Sequence, residues 1–221
     1  MQVAVLAGSP TDTGMGVAFA QKHNVDAYSV SVSASLEEQC AFEDDSPERR
    51  FQRVRTIIEE KIPRTVDAIM VYCNALCVSV DMDRMAEETG MLLVTPLDVY
   101  RVLAKQYSTI GVFAGSGAAL AGIERVLRAS NPDVVVWGVS MLEAVYATER
   151  GVPPEKIVNA LALDRLCEVM ATGLGAQIII LGCTNFPYFK AQLHVPAGCT
   201  VVDPSELMLR MLREKVEGHK A

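Results

Sequence analysis

Gln177-Ile178-Ile179-Ile180-Leu181-Gly182-Cys183-Thr184-Asn185 is an apolar run of strand length that stops on a thiol and two small polar residues. Ala68-Ile69-Met70-Val71-Tyr72-Cys73-Asn74 does the same a hundred residues earlier. Continuous Val, Ile and Leu content, without a polar residue at every second position, marks parallel strands buried on both faces. The likeness extends outward. Val5-Leu6-Ala7-Gly8-Ser9 matches Val112-Phe113-Ala114-Gly115-Ser116, and each is followed by a helical pattern. Val5 lies 68 positions before Cys73, and Val112 lies 71 before Cys183. Two landmarks repeated in the same order at nearly the same spacing indicate a duplicated domain rather than a solenoid, whose repeats are shorter.

Working outward, apolar runs at Val3–Ala7, Ala68–Tyr72, Leu92–Thr95, Ile110–Phe113, Val134–Val136, Ile178–Leu181 and Thr200–Val202 read as strands, with a further one near Asp26–Val32. Helical patterns lie between them over Met15–Lys22, Pro47–Glu60, Ser79–Glu88, Gly117–Ala129, Pro154–Thr172 and Pro204–Glu217. Asp203, Pro204 and Glu206 open the last of these with a cap, a preset φ and a capping box. The alternation predicts an α/β protein of two pseudo-symmetric lobes, each a parallel sheet flanked by helices. The expected lobes are residues 1–97 and 98–203, with 204–221 packing back on the first. In open α/β sheets ligands bind beyond the carboxyl ends of the strands. Ser9, Cys73, Ser116 and Cys183 all fall there, so the expected active site is a cleft between the lobes with a thiol on each wall.

The 221 residues carry a net charge of −7 with 50% hydrophobic and 21% charged content, which suits a globular chain and weighs against nucleic acid or an anionic membrane as partner. No apolar stretch is long enough to span a bilayer, and the N-terminus reads as a buried strand rather than an export signal. The expected location is the cytoplasm, where the six cysteines stay reduced. Cys40, Cys77, Cys167 and Cys199 read as small buried or loop residues. Cys73 and Cys77 have no companion ligands at metal-site spacing, and His23, His194 and His219 form no array.

Two thiols in equivalent positions suit a reaction that removes a proton from one face of a carbon and returns one to the other. The thiolate is the reactive form, and a helix N-terminus lowers its pKa. A lone cysteine at a strand end is more often an inert core thiol; the repetition and the flanking Asn and Thr favour chemistry.

Cys73-Asn74-Ala75 resembles the Cys-Asn-Thr-Ala motif of the aspartate/glutamate racemase superfamily, and Gly182-Cys183-Thr184-Asn185-Phe186-Pro187 resembles its second motif, Gly-Cys-Thr-(His/Glu)-(Tyr/Phe)-Pro. Asp12-Thr13-Gly14-Met15-Gly16 is similar to the Asp-Ser-Gly-x-Gly-Gly of glutamate racemases, displaced by about three residues. Val145-Tyr146 through Arg150-Gly151 is similar to a Tyr…Lys-x-Gly stretch of aspartate-type members. The resemblance implies a racemase that needs neither pyridoxal phosphate nor metal, acts on a small carboxylate or amino acid, and forms a homodimer. It implies Cys73 and Cys183 as the acid/base pair, with Asn74, Ala75, Thr184 and Asn185 at the substrate. Ser9, Ser116, Thr13 and Asp12 are further contacts, and Arg49 (with its neighbour Arg50) and Arg150 are candidate partners for a side-chain carboxylate. Asn185 stands where His or Glu is usual, Leu76 where a small or polar residue is, and the Tyr-Gly segment of glutamate racemases is not evident. These departures point toward an aspartate-type or broader Asp/Glu/hydantoin-type member. Alternative expectations are a maleate-type cis-trans isomerase or arylmalonate-type decarboxylase of the same superfamily, and a non-catalytic small-anion binder built on Gly8–Gly14, which lacks the known phosphate-loop patterns.

Overall fold

The computed structural model describes residues 1–35, 38, 41–42 and 44–220, with the backbone alone at Lys220. Cys40 lies outside the described residues. The chain divides into two compact units, Met1–Asp98 with Ser205–Ala221, and Val99–Pro204.

The first unit holds strands β1 (Gln2–Ala7), β2 (Asp26–Ser31), β3 (Ala68–Val71) and β4 (Leu93–Val94) in the order β2-β1-β3-β4. The second holds β5 (Thr109–Ala114), β6 (Val135–Ser140), β7 (Ile178–Gly182) and β8 (Thr200–Val202) in the order β6-β5-β7-β8. All pairings are parallel. Each unit is therefore a four-stranded parallel sheet with the same connectivity, as the internal repeat predicts. In each, the first strand lies beside the third, in register Leu6↔Val71 and Ala114↔Gly182. That register sets Ser9 beside Cys73 and Ser116 beside Cys183 at the carboxyl edge of the respective sheet.

Among the described residues the helices are α1 (Pro10–Lys22), α2 (Pro47–Lys61), α3 (Asn74–Ser79), α4 (Met82–Thr89), α5 (Pro96–Gln106), α6 (Gly117–Ser130), α7 (Leu142–Glu149), α8 (Pro154–Ala160), α9 (Leu163–Glu168) and α10 (Pro204–Lys220), with a π-helical turn over Val169–Gly173 and a 3₁₀ helix over Phe186–Gln192. Their starts follow capping chemistry. Ser9, Ser46 and Ser116 are N-caps whose hydroxyls accept the backbone N–H of Asp12, Arg49 and Ala119. Pro10 and Pro47 then occupy the first turn of α1 and α2. Gly90, at φ 66°, closes α4 in the left-handed conformation glycine favours.

Four sequence expectations differ from the structure. The first helix begins at Pro10 rather than Met15, so Asp12 and Thr13 belong to its first turn and are not loop residues. The expected Ser79–Glu88 helix begins only at Met82, capped by Asp81, and the short helix α3, which had no expected counterpart, precedes it. Pro154–Thr172 is interrupted at Ala162, which has φ 49°. Helices α5 and α7 had no expected counterpart.

In the first unit, α4 is fastened to α2 by ion pairs. Arg84 meets Glu48 at 3.0 Å and Glu88 at 2.7 Å, Arg55 meets Glu88 at 2.8 Å, and the Arg84 guanidinium lies 3.9 Å from the Phe51 ring centroid. Hydrogen bonds from Gln52 and Arg84 hold the Glu48 carboxyl below its ordinary range.

Gly14 and Gly16 both lie inside α1. Gly16 is there for space. A Cβ at this position meets Val5 Cγ1 at 2.6 Å and the Tyr72 ring at 2.8 Å, so only a bare backbone lets α1 lie against β1. Gly16→Ala gains about 1 kcal/mol in helix propensity and loses about 1–3 kcal/mol to overpacking against two buried side chains. Because both neighbours sit in a filled core, the loss wins: urea unfolding followed by circular dichroism is expected to show a lower midpoint for Gly16→Ala, and no such drop for Gly14→Ala, where a Cβ meets nothing within 4 Å.

Candidate active site

Ten polar or charged residues are buried among the described ones, and five of them, Asp12, Thr13, Asn74, Thr184 and Asn185, are sequence-predicted site residues at strand ends. Burying a polar side chain costs free energy unless it is hydrogen-bonded or used, so this concentration marks the carboxyl edge of each sheet as chemically distinct from the core beneath it.

In the first unit, β1 leads through Ser9 into α1. Ser9 Oγ accepts the Asp12 backbone N–H at 3.2 Å and donates to Asp12 Oδ2 at 3.0 Å. Thr13 Oγ1 lies 2.9 Å from the Pro10 carbonyl and 3.0 Å from Ser31 Oγ. Ser9, Asp12, Thr13 and Ser31 thus form one hydrogen-bonded turn at the ends of β1 and β2. Beside it β3 ends, and Cys73 takes the N-cap position of α3 in an extended conformation, with no side-chain cap bond. Cys73 and Asn74 are almost wholly buried, and Ala75 is half-buried in the first turn. Tyr72 anchors the strand end: its ring stacks on Phe19 at 6.3 Å, and its hydroxyl accepts from Ser205 Oγ at 3.2 Å.

In the second unit, Ser116 caps α6, its hydroxyl accepting the Ala119 N–H at 3.2 Å. Cys183 follows β7 and is half-buried, its carbonyl accepting the Phe186 N–H at 3.1 Å. Thr184 and Asn185 are buried at the head of the 3₁₀ helix. The Asn185 Oδ1 is fully enclosed with no hydrogen-bond partner. Gly115 is a neighbour that site reading from the sequence missed. A Cβ there comes within 3.0 Å of Cys183 Sγ and 3.2 Å of Val145 Cγ2, so the glycine keeps room around the sulfur. The signal was present in the repeated Ala-Gly-Ser, read only as a turn.

The three candidate arginines are placed differently, and Arg50 is half-buried on α2. The Arg49 side chain is 80% exposed and pairs with Asp45 at 3.7 Å. Arg150 is exposed at the C-cap of α7, with its Nε donating to the Tyr146 carbonyl at 3.1 Å. Neither joins the buried polar groups of its own unit. Among the described residues no three His, Cys, Asp or Glu side chains come together as a metal site requires, and no helix is long and apolar enough to cross a membrane.

The described cysteines are all reduced thiols, but they are not equivalent. Cys167 and Cys199 lie in the core cluster of the second unit with Phe113, Leu163, Met170, Leu181 and Phe186. Burial pushes the Cys167 thiol up to about 12, aided by the nearby Asp164 carboxylate, and raises Cys199 as well. These two are structural.

No protein-family model matches the chain. It is 25% identical over 179 residues to a glutamate racemase of Picosynechococcus sp., an alignment that takes in 79% of this chain and 63% of the relative. A glutamate racemase of Corynebacterium glutamicum is 24% identical over 144 residues, 64% of this chain and 52% of the relative. The chain therefore spans little more than half the length of the curated relatives it matches. Among solved structures, glutamate racemase from Francisella tularensis in complex with D-glutamate superimposes with a TM-score of 0.73 at 16% identity, covering 98% of this chain and 82% of that one. An aspartate racemase homologue from Pyrococcus horikoshii gives 0.66 at 15% identity, covering 98% and 100%. At these identities the structures show a shared fold. Sequence and fold together support the aspartate/glutamate racemase superfamily. They do not support a place closer to its aspartate-type members, because the curated relatives it matches are glutamate racemases.

The thiol environments give a measurable order of reactivity. Iodoacetamide at pH 8, with peptide mapping, is expected to modify Cys183 while Cys167 and Cys199 stay unmodified until the protein unfolds. The folded state holds the Cys167 proton more tightly than the unfolded chain does. Its contribution to stability is present below about pH 9 and is lost as pH rises from there toward about 12. Melting temperatures from pH 8 to 11 are expected to fall, with a shallower slope in Cys167→Ala.

Proposed function

We propose that this chain is a cofactor-independent racemase of an acidic amino acid, in which Cys73 and Cys183 are the two acid/base groups. One observation carries the reading. Two units of the same topology each end their third strand on a cysteine, and each cysteine is followed by a buried, neutral hydrogen-bonding residue, Asn74 or Thr184.

The chemistry needs one sulfur as thiolate and the other as thiol. The thiolate takes the α-proton, and the electron pair left on carbon delocalises into the substrate carboxylate. The second thiol then delivers its proton to the opposite face of the same carbon. Protons balance, and the two sulfurs exchange roles for the other enantiomer. The developing charge on the carboxylate is met by fixed neutral donors: backbone N–H groups at the start of α3, and the Asn74 amide and Thr184 hydroxyl. Preorganised dipoles of this kind stabilise charge as it forms without reorganising. Asn185 Oδ1 is the acceptor that suits the substrate ammonium. Ser9 and Ser116 are already engaged as the caps of α1 and α6, so their part is to hold the turns beside the two cysteines. Glutamate is the first substrate to try, since the relatives named above are glutamate racemases.

Deuterium exchange tests the two-base arrangement. Incubation of one enantiomer in D2O, sampled early by NMR, is expected to give product carrying α-deuterium while recovered substrate keeps its α-proton. Deuterium appearing equally in both points to a single base, and none in either across glutamate, aspartate and their close analogues overturns the reading. Cys73→Ala and Cys183→Ala are each expected to lower kcat by roughly a thousandfold or more while the melting temperature holds. Gly115→Ala, which crowds Cys183 Sγ, is expected to lower kcat while Gly117→Ala, where a Cβ meets nothing, does not.

A further inference from the structure

A cavity of about 680 Å³ runs along the outer edge of β2, walled by residues 28–34 on one side and by α2 on the other. Cys73 is not among its walls. Strand and helix run in opposite directions here, since α2 crosses between the parallel strands β2 and β3, and the contacts agree. Arg53 Nη2 donates to the Val32 carbonyl at 3.2 Å near the end of β2, which places Lys61, two turns further along α2, toward Tyr28.

Each end of the cavity holds one hydroxyl and one cation. At one end, Tyr28 Oη is enclosed without a hydrogen-bond partner, and Lys61 lines the wall. At the other, Ser33 is only 2% exposed and its Oγ also lacks a partner, beside Arg53. Ser33 is fixed there by its backbone, whose N–H donates to the Gly8 carbonyl at 3.0 Å. Enclosed hydroxyls without partners are rare and destabilising by about 1–3 kcal/mol each. Two of them at opposite ends of one cavity point to a ligand that satisfies both.

The ends differ in charge. Arg53 is balanced by Glu38 at 3.7 Å, and that carboxylate is itself held by the Ala34 N–H at 2.8 Å. This end is neutral and polar. Among the described residues Lys61 has no acidic neighbour on the wall, so the Tyr28 end carries the positive charge. Val30, Val32 and Ile57 line the stretch between. The rise of eight helical residues from Arg53 to Lys61 puts the ends roughly 12 Å apart.

We propose that this cavity is a second ligand site, for an elongated small molecule with an oxyanion at the Lys61–Tyr28 end, an apolar body, and an uncharged hydroxyl or amide at the Ser33 end. The oxyanion is a carboxylate or a phosphate. The inference stands apart from the reading of Cys73 and Cys183 and is tested without turnover.

The probes are 8-hydroxyoctanoate, 8-hydroxyoctyl phosphate and octanoate, titrated into the full chain by calorimetry. One of the hydroxylated probes is expected to bind saturably at one site per chain, and whichever head binds more tightly identifies the oxyanion. Octanoate, which leaves Ser33 unpaired, is expected to bind about tenfold more weakly than 8-hydroxyoctanoate where the carboxylate is preferred. Lys61→Gln is expected to weaken binding about tenfold. Ser33→Ala removes an enclosed orphan hydroxyl, so it keeps the fold, as its melting temperature will show, while erasing the advantage of the terminal hydroxyl. Absence of saturable binding by both heads, or affinities that neither substitution changes, overturns the proposal.

Discussion

The inner strands of both sheets have almost no room for a polar atom, and the rest of the protein follows from that. β3 and β7 are buried at every position, and β1 and β5 at all but their first residue. A side chain able to hydrogen-bond inside such a layer would lose water without gaining a partner. Polar chemistry therefore begins where the strands stop. Because all strands in a sheet are parallel, every stop that leads into a helix falls on the same edge. The turn Ser9–Thr13, the pair Cys73–Asn74 and the run Cys183–Thr184–Asn185 gather at those edges because it is the first place the sheet tolerates them.

The same constraint explains what the sequence made legible. A parallel strand covered on both faces writes itself as an uninterrupted apolar run, so β1, β3, β5 and β7 are readable without structural information, and the polar residue after each run marks the edge. Duplication made the reading firmer, because two runs with the same ending constrain each other. The helices were harder. Gly14 and Gly16 carry poor helix propensity, yet α1 runs through both, since contact with Val5 and Tyr72 outweighs the backbone entropy. The break at Asp81 and the left-handed Ala162 are local choices stabilised by capping and packing that a periodicity count does not register. Helix α7 follows β6 directly, and β6 is an exposed edge strand whose Val135 and Trp137 remain in solvent, so neither presents the sharp apolar-to-polar boundary that betrays the inner strands.

Site residues were legible in proportion to their dependence on the edge. Cys73, Asn74, Cys183, Thr184 and Asn185 were proposed from chain position and motif resemblance, and all but the half-buried Cys183 are buried. Ser9 and Ser116 were found for a different reason than the one the structure supplies: they look like ligand contacts in a string of letters, and they act as helix caps. Gly115 was passed over because a missing side chain is invisible until its neighbours are known. The arginines failed to declare themselves in the opposite way. A guanidinium on a long stem suits a surface ion pair as well as a substrate, and only the contacts of Arg49 with Asp45 and of Arg150 with Tyr146 tell which is made here.

Those surface arginines bear on how an acidic substrate would be recognised. With Arg49 and Arg150 turned to solvent, the groups described at the sheet edges besides the two thiols are amides, hydroxyls, backbone N–H groups and the Asp12 carboxylate. A buried cation would hold a carboxylate strongly, but it would carry its own desolvation cost and draw nearby thiols toward the thiolate. Two-base inversion requires one thiol to keep its proton while the other loses it. Neutral donors can bind the carboxylate without tipping both sulfurs the same way, and Asn185, an amide beside the second cysteine, follows that logic one residue further.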